Sequence, residues 1–270
     1  MLFVCPLCKK QLNTDSGKSA VCPSGHSFDK SRKGYYNLLI GRGGAHGDNK
    51  EMVIARRAFL ERGLYEPLAS FVAESVAELI PFGGAVLDAG CGEGYYTSIL
   101  AQSGYTCLGF DLSKAAVDAA SKRIARTECG RGFFGVGSVF EMPLNDASCA
   151  GIVNIFAPCA EEEFARVLAL GGILIVAYAG PEHLMGLKKA IYETTKENDM
   201  RADLPNQLTK IDEVRVHYSI SVKTEAQIQN LFAMTPYYWR TSPADADKLK
   251  GLDELTTDVD MIFSVYRKDK

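Results

Sequence analysis

The stretch Val86-Leu87-Asp88-Ala89-Gly90-Cys91-Gly92-Glu93-Gly94-Tyr95-Tyr96-Thr97 constrains this chain more than any other. A short apolar run ends in an acid, breaks into alternating glycines and resumes in helix-compatible residues. That is a β-strand turning tightly into an α-helix, with a turn that lets a ligand approach the backbone. A dinucleotide fingerprint would place its third glycine where this chain has Tyr95, and no phosphate-binding lysine of the P-loop kind is present. Around this turn, short apolar runs alternate with helical patterns. Strands are expected at 85–89, 106–111, 133–137, 151–156 and 173–179, with helices at 95–103, 114–126 and 160–169. Such alternation implies a mostly parallel sheet covered on both faces. A helix over 182–198, a polar connection at 199–210, a strand at 214–221, a helix at 224–233 and a strand at 258–267 are expected to follow.

Asp111 closes the second strand, twenty-three residues after Asp88. A carboxylate at that strand end accepts hydrogen bonds from a ribose diol. Asp88, the loop Gly90, Gly92, Glu93, Gly94 and Tyr95, and Asp111 together resemble the class I S-adenosylmethionine-dependent methyltransferases. The resemblance implies a Rossmann-like, mostly parallel seven-stranded sheet with S-adenosyl-L-methionine bound at this loop. Ser138, five residues before Pro143, stands where many members of the class carry an adenine-binding Asp. Ala150 occupies a place where an acid is common, and the turn Leu170-Gly171-Gly172 is usual before the fifth strand.

A second signal lies at the amino terminus. Cys5, Cys8, Cys22 and His26 form C-x2-C-x13-C-x3-H, two close pairs of soft ligands with turn residues inside each. The pattern suits tetrahedral zinc, and filling all four positions with protein makes the metal structural. A segment of about 37 residues has too little core to fold alone, so the ion substitutes for one. The other five cysteines (Cys91, Cys107, Cys129, Cys149, Cys159) are scattered and expected to be reduced.

Residues 1–63 carry eleven Lys and Arg against five acids, while the rest carries nineteen against twenty-eight, so a +6 segment precedes a −9 body. A basic module ahead of an acidic one points to a polyanionic partner. The glycines at 41, 43, 44 and 47 make a polar connection, after which Asp48 and Glu51 are expected to cap a helix over 52–63. A second helix is expected over 66–79. With 47% hydrophobic and 23% charged residues the chain is neither disordered nor fibrous. No apolar run reaches the roughly 20 residues that span a bilayer. MLFVCPLCKK lacks a charged leader with a long apolar stretch, so a cytoplasmic address and no membrane partner are expected.

The ribbon, then HGDNKEMVIARRAFLERGLYEPL, VLDAGCGEGYYT, IFAPCAEEEFARVL, AGPEHLMGLKKAIYE and MTPYYWR, resemble the RlmA/TlrB family of 23S rRNA guanine-N(1) methyltransferases over essentially the whole chain. The resemblance implies methylation of a guanine, at position 745 or 748, in hairpin 35 of 23S rRNA. One branch is linked to resistance to tylosin-type macrolides, and His46-Gly47-Asp48 looks more like that branch. It further implies that Tyr65 and His183 line the cofactor site. The expected division is 1–37 for a zinc ribbon recognising RNA, 38–81 for helices against the cofactor site, and 82–270 for the methyltransferase domain. A homodimer is compatible with the family. Arg56 and Arg57 are candidates for phosphates and Phe156 for stacking on the target base. Glu93, Glu161 and Glu162 are the carboxylates available for a ring proton, and the sequence singles out none. Alternatives are a methyltransferase for another RNA, one for a small molecule, which the basic segment opposes, and a non-catalytic zinc-ribbon RNA binder, which the glycine loop with Asp88 and Asp111 opposes.

Overall fold

A computed structural model describes residues 3–15, 17–41, 47–127, 131–198, 205 and 207–270. In chain order the elements are β1 (Ser19–Val21), β2 (Ser27–Asp29), β3 (Tyr36–Asn37), α1 (Lys50–Leu60), α2 (Glu66–Leu79), β4 (Ala85–Ala89), α3 (Tyr95–Gln102), β5 (Thr106–Asp111), α4 (Lys114–Ile124) and β6 (Gly132–Val136). They continue with β7 (Cys149–Ile155), α5 (Glu161–Val167), β8 (Leu168–Ala179), α6 (Met185–Ile191), β9 (Thr209–Val222), α7 (Glu225–Ala233) and β10 (Leu255–Arg267).

The main sheet has the order β3-β6-β5-β4-β7-β8-β10-β9. Strands β3 to β8 in this order run parallel, and β10 is antiparallel to both neighbours. Seven strands were expected; the eighth is β3, through which the amino-terminal segment pairs Tyr36 and Asn37 with Gly135 and Val136 of β6. The chain turns to opposite sides after β4 and β7, which lie side by side. Ligands of open parallel sheets bind at such a switch point, beyond the carboxyl ends of the strands.

Side-chain chemistry sets the element boundaries. Asn49, not Asp48, caps α1: its side chain accepts from the Met52 amide at 2.8 Å, while Asp48 pairs with Arg56 along the helix. The helix expected at 182–198 is only α6. Beyond Ile191 the Asn198 amide reaches back to the carbonyls of Gly180, Pro181 and His183, and a continuous helix could not make that turn. The helix expected at 160–169 stops at Val167, because Leu168 already pairs with Cys149 of β7. A register shift between Cys149 and Gly151 and a left-handed Gly171 (φ +75°) then take up the extra residues. The strand expected to include Phe156 ends at Ile155.

The amino-terminal segment shares the core of the larger body. Phe3 is fully buried and packs its ring against Phe110, with centroids 5.4 Å apart at 63°, and against Tyr36 at 6.4 Å. The Val4 amide donates to the Pro143 carbonyl at 2.9 Å, and the Leu38 amide donates to Val136 at 2.9 Å. Lys9 pairs with Glu141 at 2.9 Å. Among the described residues no helix is long and apolar enough to cross a membrane.

Candidate active site and metal centre

The glycine loop is built by close packing. Gly90 and Gly94 have φ of +81° and +79°, a region that disfavours side chains. A Cβ on Gly90 would meet the Ala157 methyl at 2.4 Å, and one on Gly94 would meet Ala120 at 2.8 Å. Gly92 differs: a Cβ there would find only Arg56 Nη1, at 3.6 Å, so this stretch of backbone faces open space. Asp88 lies buried beneath the turn and accepts from the Thr97 hydroxyl at 2.5 Å, tying strand to helix. Burial lifts its carboxyl to about 7, against the Thr97 hydrogen bond that lowers it.

At the end of β5, Asp111 accepts from the Ser113 amide at 2.7 Å on one carboxylate oxygen and from the Gly92 amide at 3.0 Å on the other. Burial raises its carboxyl, and the two amides oppose that rise. Each oxygen keeps a second lone-pair direction, which suits the paired hydroxyls of a ribose. Ser113 in turn caps α4 and donates to the Asp48 carbonyl at 2.6 Å, which draws the entry to α1 over the loop.

The opposite wall is aromatic. Tyr65, at the N-cap of α2, is buried and lies near-parallel to Phe156, with centroids 6.5 Å apart at 24°. Phe156 follows β7 in a left-handed conformation (φ +53°) and remains 48% exposed. Strain of this kind in a half-open aromatic clusters at functional sites. His183, after β8, packs 5.3 Å from Phe156. The Asp260 amide donates to His183 Nδ1 at 3.2 Å, which puts the proton of the neutral ring on Nε2, 3.4 Å from the Tyr65 hydroxyl. Burial holds this imidazole down to about 4, so it is neutral at ordinary pH.

The structure thus gathers Gly92 and Asp111 on one side of the switch point and Tyr65, Phe156 and His183 on the other. Ser138 follows β6 and accepts from the Phe140 amide at 3.2 Å through its hydroxyl. Two side chains of the loop are engaged elsewhere. Glu93 is buried in a bidentate pair with Arg123 (3.0 and 2.8 Å), and the same guanidinium lies 5.7 Å from the Tyr95 ring centroid. What these two residues offer a ligand directly is their backbone. Arg56 and Arg57 are also held within the protein, by Asp48 and by Glu61 at 2.8 Å. His46 and Cys129 lie outside the described residues.

Asn154 is a site residue that sequence reasoning missed. It is fully buried on β7, and its amide donates to the carbonyls of Ala89 (3.0 Å) and Pro158 (3.1 Å). It therefore ties the start of the glycine loop to the loop bearing Phe156. Its Oδ1 is buried with no partner among the described residues. A lone amide in the apolar run Gly151-Ile152-Val153-Asn154-Ile155 was the available signal. An open glycine backbone, a carboxylate with spare acceptor capacity and an orphaned buried acceptor at the switch point fit a bound nucleoside such as that of S-adenosylmethionine.

The second cluster is at the ribbon. The ligand atoms of Cys5, Cys8, Cys22 and His26 all lie within 4.8 Å of one another. Cys5 Sγ and Cys22 Sγ are each 3.4 Å from His26 Nδ1, and Cys8 Sγ is 3.5 Å from Cys22 Sγ. Tetrahedral zinc with Zn–S of about 2.3 Å and Zn–N of about 2.0 Å separates its donors by about 3.5–3.8 Å. The donor set fits a four-coordinate structural ion. The Lys10 amide, foremost among its hydrogen-bond donors, lowers the Cys8 thiol to about 6, toward the thiolate a metal needs.

Comparison with known proteins agrees with both halves. A family model described as a methyltransferase domain matches residues 86–172, and one described as the N-terminal part of RlmA matches residues 3–40. A Micromonospora griseorubida protein that carries the name putative 23S rRNA (guanine-N(1)-)-methyltransferase is 32% identical over 262 residues, 89% of this chain and 88% of its own. The 23S rRNA (guanine(748)-N(1))-methyltransferase of Streptomyces fradiae is 29% identical over 276 residues, 97% of this chain and 95% of its own. The crystal structure of the YcgJ protein from Bacillus subtilis shares the fold with a TM-score of 0.53, over 75% of this chain and 98% of that one, at 15% identity. These relatives span 89% and 97% of the chain, and the chain belongs to the family of 23S rRNA (guanine-N(1))-methyltransferases.

Proposed function

We propose that this chain methylates ring nitrogen 1 of a guanine in hairpin 35 of 23S rRNA, with S-adenosylmethionine as donor. The observation that carries the reading is the switch point of the sheet, where Gly92 follows β4 and binds Asp111 at the end of β5, and the half-exposed, strained Phe156 follows β7. The S. fradiae relative, whose name specifies guanine 748, favours position 748 over 745. Protection against tylosin-type macrolides is the physiological role that goes with it.

S-adenosylmethionine supplies an electrophilic methyl group on a sulfonium, so the protein's own work is positioning and exclusion of water. Asp111 receives the ribose hydroxyls, and the Gly90–Gly94 backbone lets the ligand lie close. Tyr65 and His183 close the other side, and Ser138 stands at the adenine end. His183, neutral and protonated on Nε2, orients the Tyr65 hydroxyl. Phe156 offers its exposed face to a guanine drawn out of its stack. Glu93 is held by Arg123 and Glu161 by the Gln207 amide, so neither is assigned the N1 proton. Residues 1–37 are assigned to RNA recognition, 38–81 to the cofactor wall and 82–270 to methyl transfer, in the cytoplasm where ribosomes are made.

Methylation at N1 blocks the Watson–Crick edge, so reverse transcription stops there. Primer extension on unmodified 23S rRNA treated with purified protein and S-adenosylmethionine should stop next to the hairpin 35 guanine. A stop elsewhere, or none, would overturn the reading.

A further inference from the structure

The segment Met234-Thr235-Pro236-Tyr237-Tyr238-Trp239-Arg240 has no role in the site described above. Residues Pro236–Trp239 form a single 3-10 turn after α7. Its inner side is tied to residues on both sides of the candidate active site. The Met234 carbonyl accepts from Arg56 Nη2 at 3.5 Å, and Arg56 is the residue that faces Gly92 of the glycine loop. On the other wall, the Tyr237 hydroxyl donates to Asn198 Oδ1 at 3.2 Å, and Asn198 holds the His183 carbonyl at 3.0 Å. The turn therefore borders the mouth of the candidate active site.

Its outer side is aromatic and exposed. Trp239 is 62% exposed and Tyr238 43% exposed, and their rings meet edge to face with centroids 5.1 Å apart at 89°. Neither ring is free to swing. Tyr238 packs on Phe232 at 5.5 Å, and the Trp239 indole N–H points at Met52 Sδ of α1, 3.1 Å away. The packing beneath holds two adjacent aromatic rings, one of them the largest in the chain, facing out. Lys50 and Arg240, both exposed, lie two residues from Met52 and directly after Trp239.

We infer that Tyr238 and Trp239 form a stacking platform for an unpaired nucleotide of the substrate RNA, next to the guanine that enters the cleft. The inference rests on the RNA reading above and extends it to a second contact. Rigid aromatic faces with flanking cations are what single-stranded RNA stacks on, because every base has a π face. The basic ribbon then holds the helical part of the hairpin, and the platform holds the loop open at the mouth.

Trp239 is the only tryptophan in the chain, so its fluorescence reports this position alone. Titrating the full-length protein with a hairpin 35 transcript should give a saturable loss of Trp239 emission, at the RNA concentrations that support methylation. Trp239→Ala should raise KM for RNA by about tenfold to a hundredfold. Its S-adenosylmethionine affinity should stay within about twofold, and Trp239→Phe should recover most of the RNA affinity. Methylation of the transcript without any change in Trp239 emission would overturn the platform and leave the enzyme reading standing. So would a concentration-dependent emission shift without RNA, accompanied by a dimer that Trp239→Ala dissociates, since that surface would belong to a second copy. A transcript neither bound nor methylated by the native protein would remove the RNA reading, and the platform with it.

Discussion

Asp111 carries two duties. It holds the Gly92 and Ser113 amides, and in the proposed reading its remaining acceptor capacity receives a ribose. Asp111→Ala should weaken S-adenosylmethionine binding by about 1–3 kcal/mol, the scale of hydrogen bonds to a charged group, and calorimetry reads this directly. Unchanged affinity in a folded variant would misplace the ribose. His183 makes a pH prediction. Its imidazole sits at about 4 in the folded chain against an ordinary 6.5, so between those values the unfolded chain binds the extra proton. Stability from this group is therefore present above about 6.5 and drains away as pH falls toward 4. His183→Gln retains an acceptor for the Asp260 amide but has no proton to gain. Between neutral pH and about pH 4.5 it should lose about 1–3 kcal/mol less stability than the native protein, as urea midpoints would show. Equal losses in both proteins would contradict the assignment.

At the scale of elements, the ribbon is joined to the sheet more closely than a separate module would be. β3 extends the sheet edge beside β6, and Phe3 packs on Phe110, the residue before Asp111. Phe3→Ala should cost about 3–5 kcal/mol, the range for a fully buried aromatic, and destabilise the sheet as well as the ribbon. The zinc should behave in the same way. One tightly held ion per chain is expected by elemental analysis, absent in the Cys5→Ser/Cys22→Ser double variant. Because the cores are shared, losing it should lower the unfolding temperature of the whole protein. Chelation that left the thermal transition untouched would show that the two units are energetically separate. Removing residues 1–37 outright is for this reason a poor test of RNA recognition: it also strips a strand and a buried ring from the body.

At the scale of the whole molecule, charge is divided rather than balanced: +6 over residues 1–63 and −9 beyond. An acidic body is poorly attracted to RNA, so the proposed reading assigns most of the phosphate binding to the basic segment. Reversing Lys30, Arg32 and Lys33 at the end of the ribbon leaves its core and ligands in place. The triple variant should keep its zinc and its S-adenosylmethionine affinity while methylating hairpin 35 far more weakly. The log–log salt slope of RNA binding should become shallower by about one for each phosphate that is no longer neutralised. A variant that methylated at the native rate would move the RNA surface elsewhere.

What the sequence determined by itself is what short-range chemistry encodes. The glycine turn after Asp88 and the alternation of strands and helices specify the parallel sheet. The spacing of Cys5, Cys8, Cys22 and His26 brings four ligands together, because each knuckle is local and the ion needs only two of them. Boundaries set by long-range partners were not legible. The end of α6 depends on Asn198 returning to the Gly180–His183 carbonyls, and the end of α5 on Leu168 pairing with Cys149. Tertiary structure alone decided which loop side chains remain open. Glu93 reads as a motif carboxylate until Arg123, thirty residues on, takes both its oxygens. Likewise the packing of Phe156 against Tyr65 and His183 comes from three separate segments. Local sequence states which groups are available; the fold decides which of them are already paired with one another, and only the unpaired remainder meets a ligand.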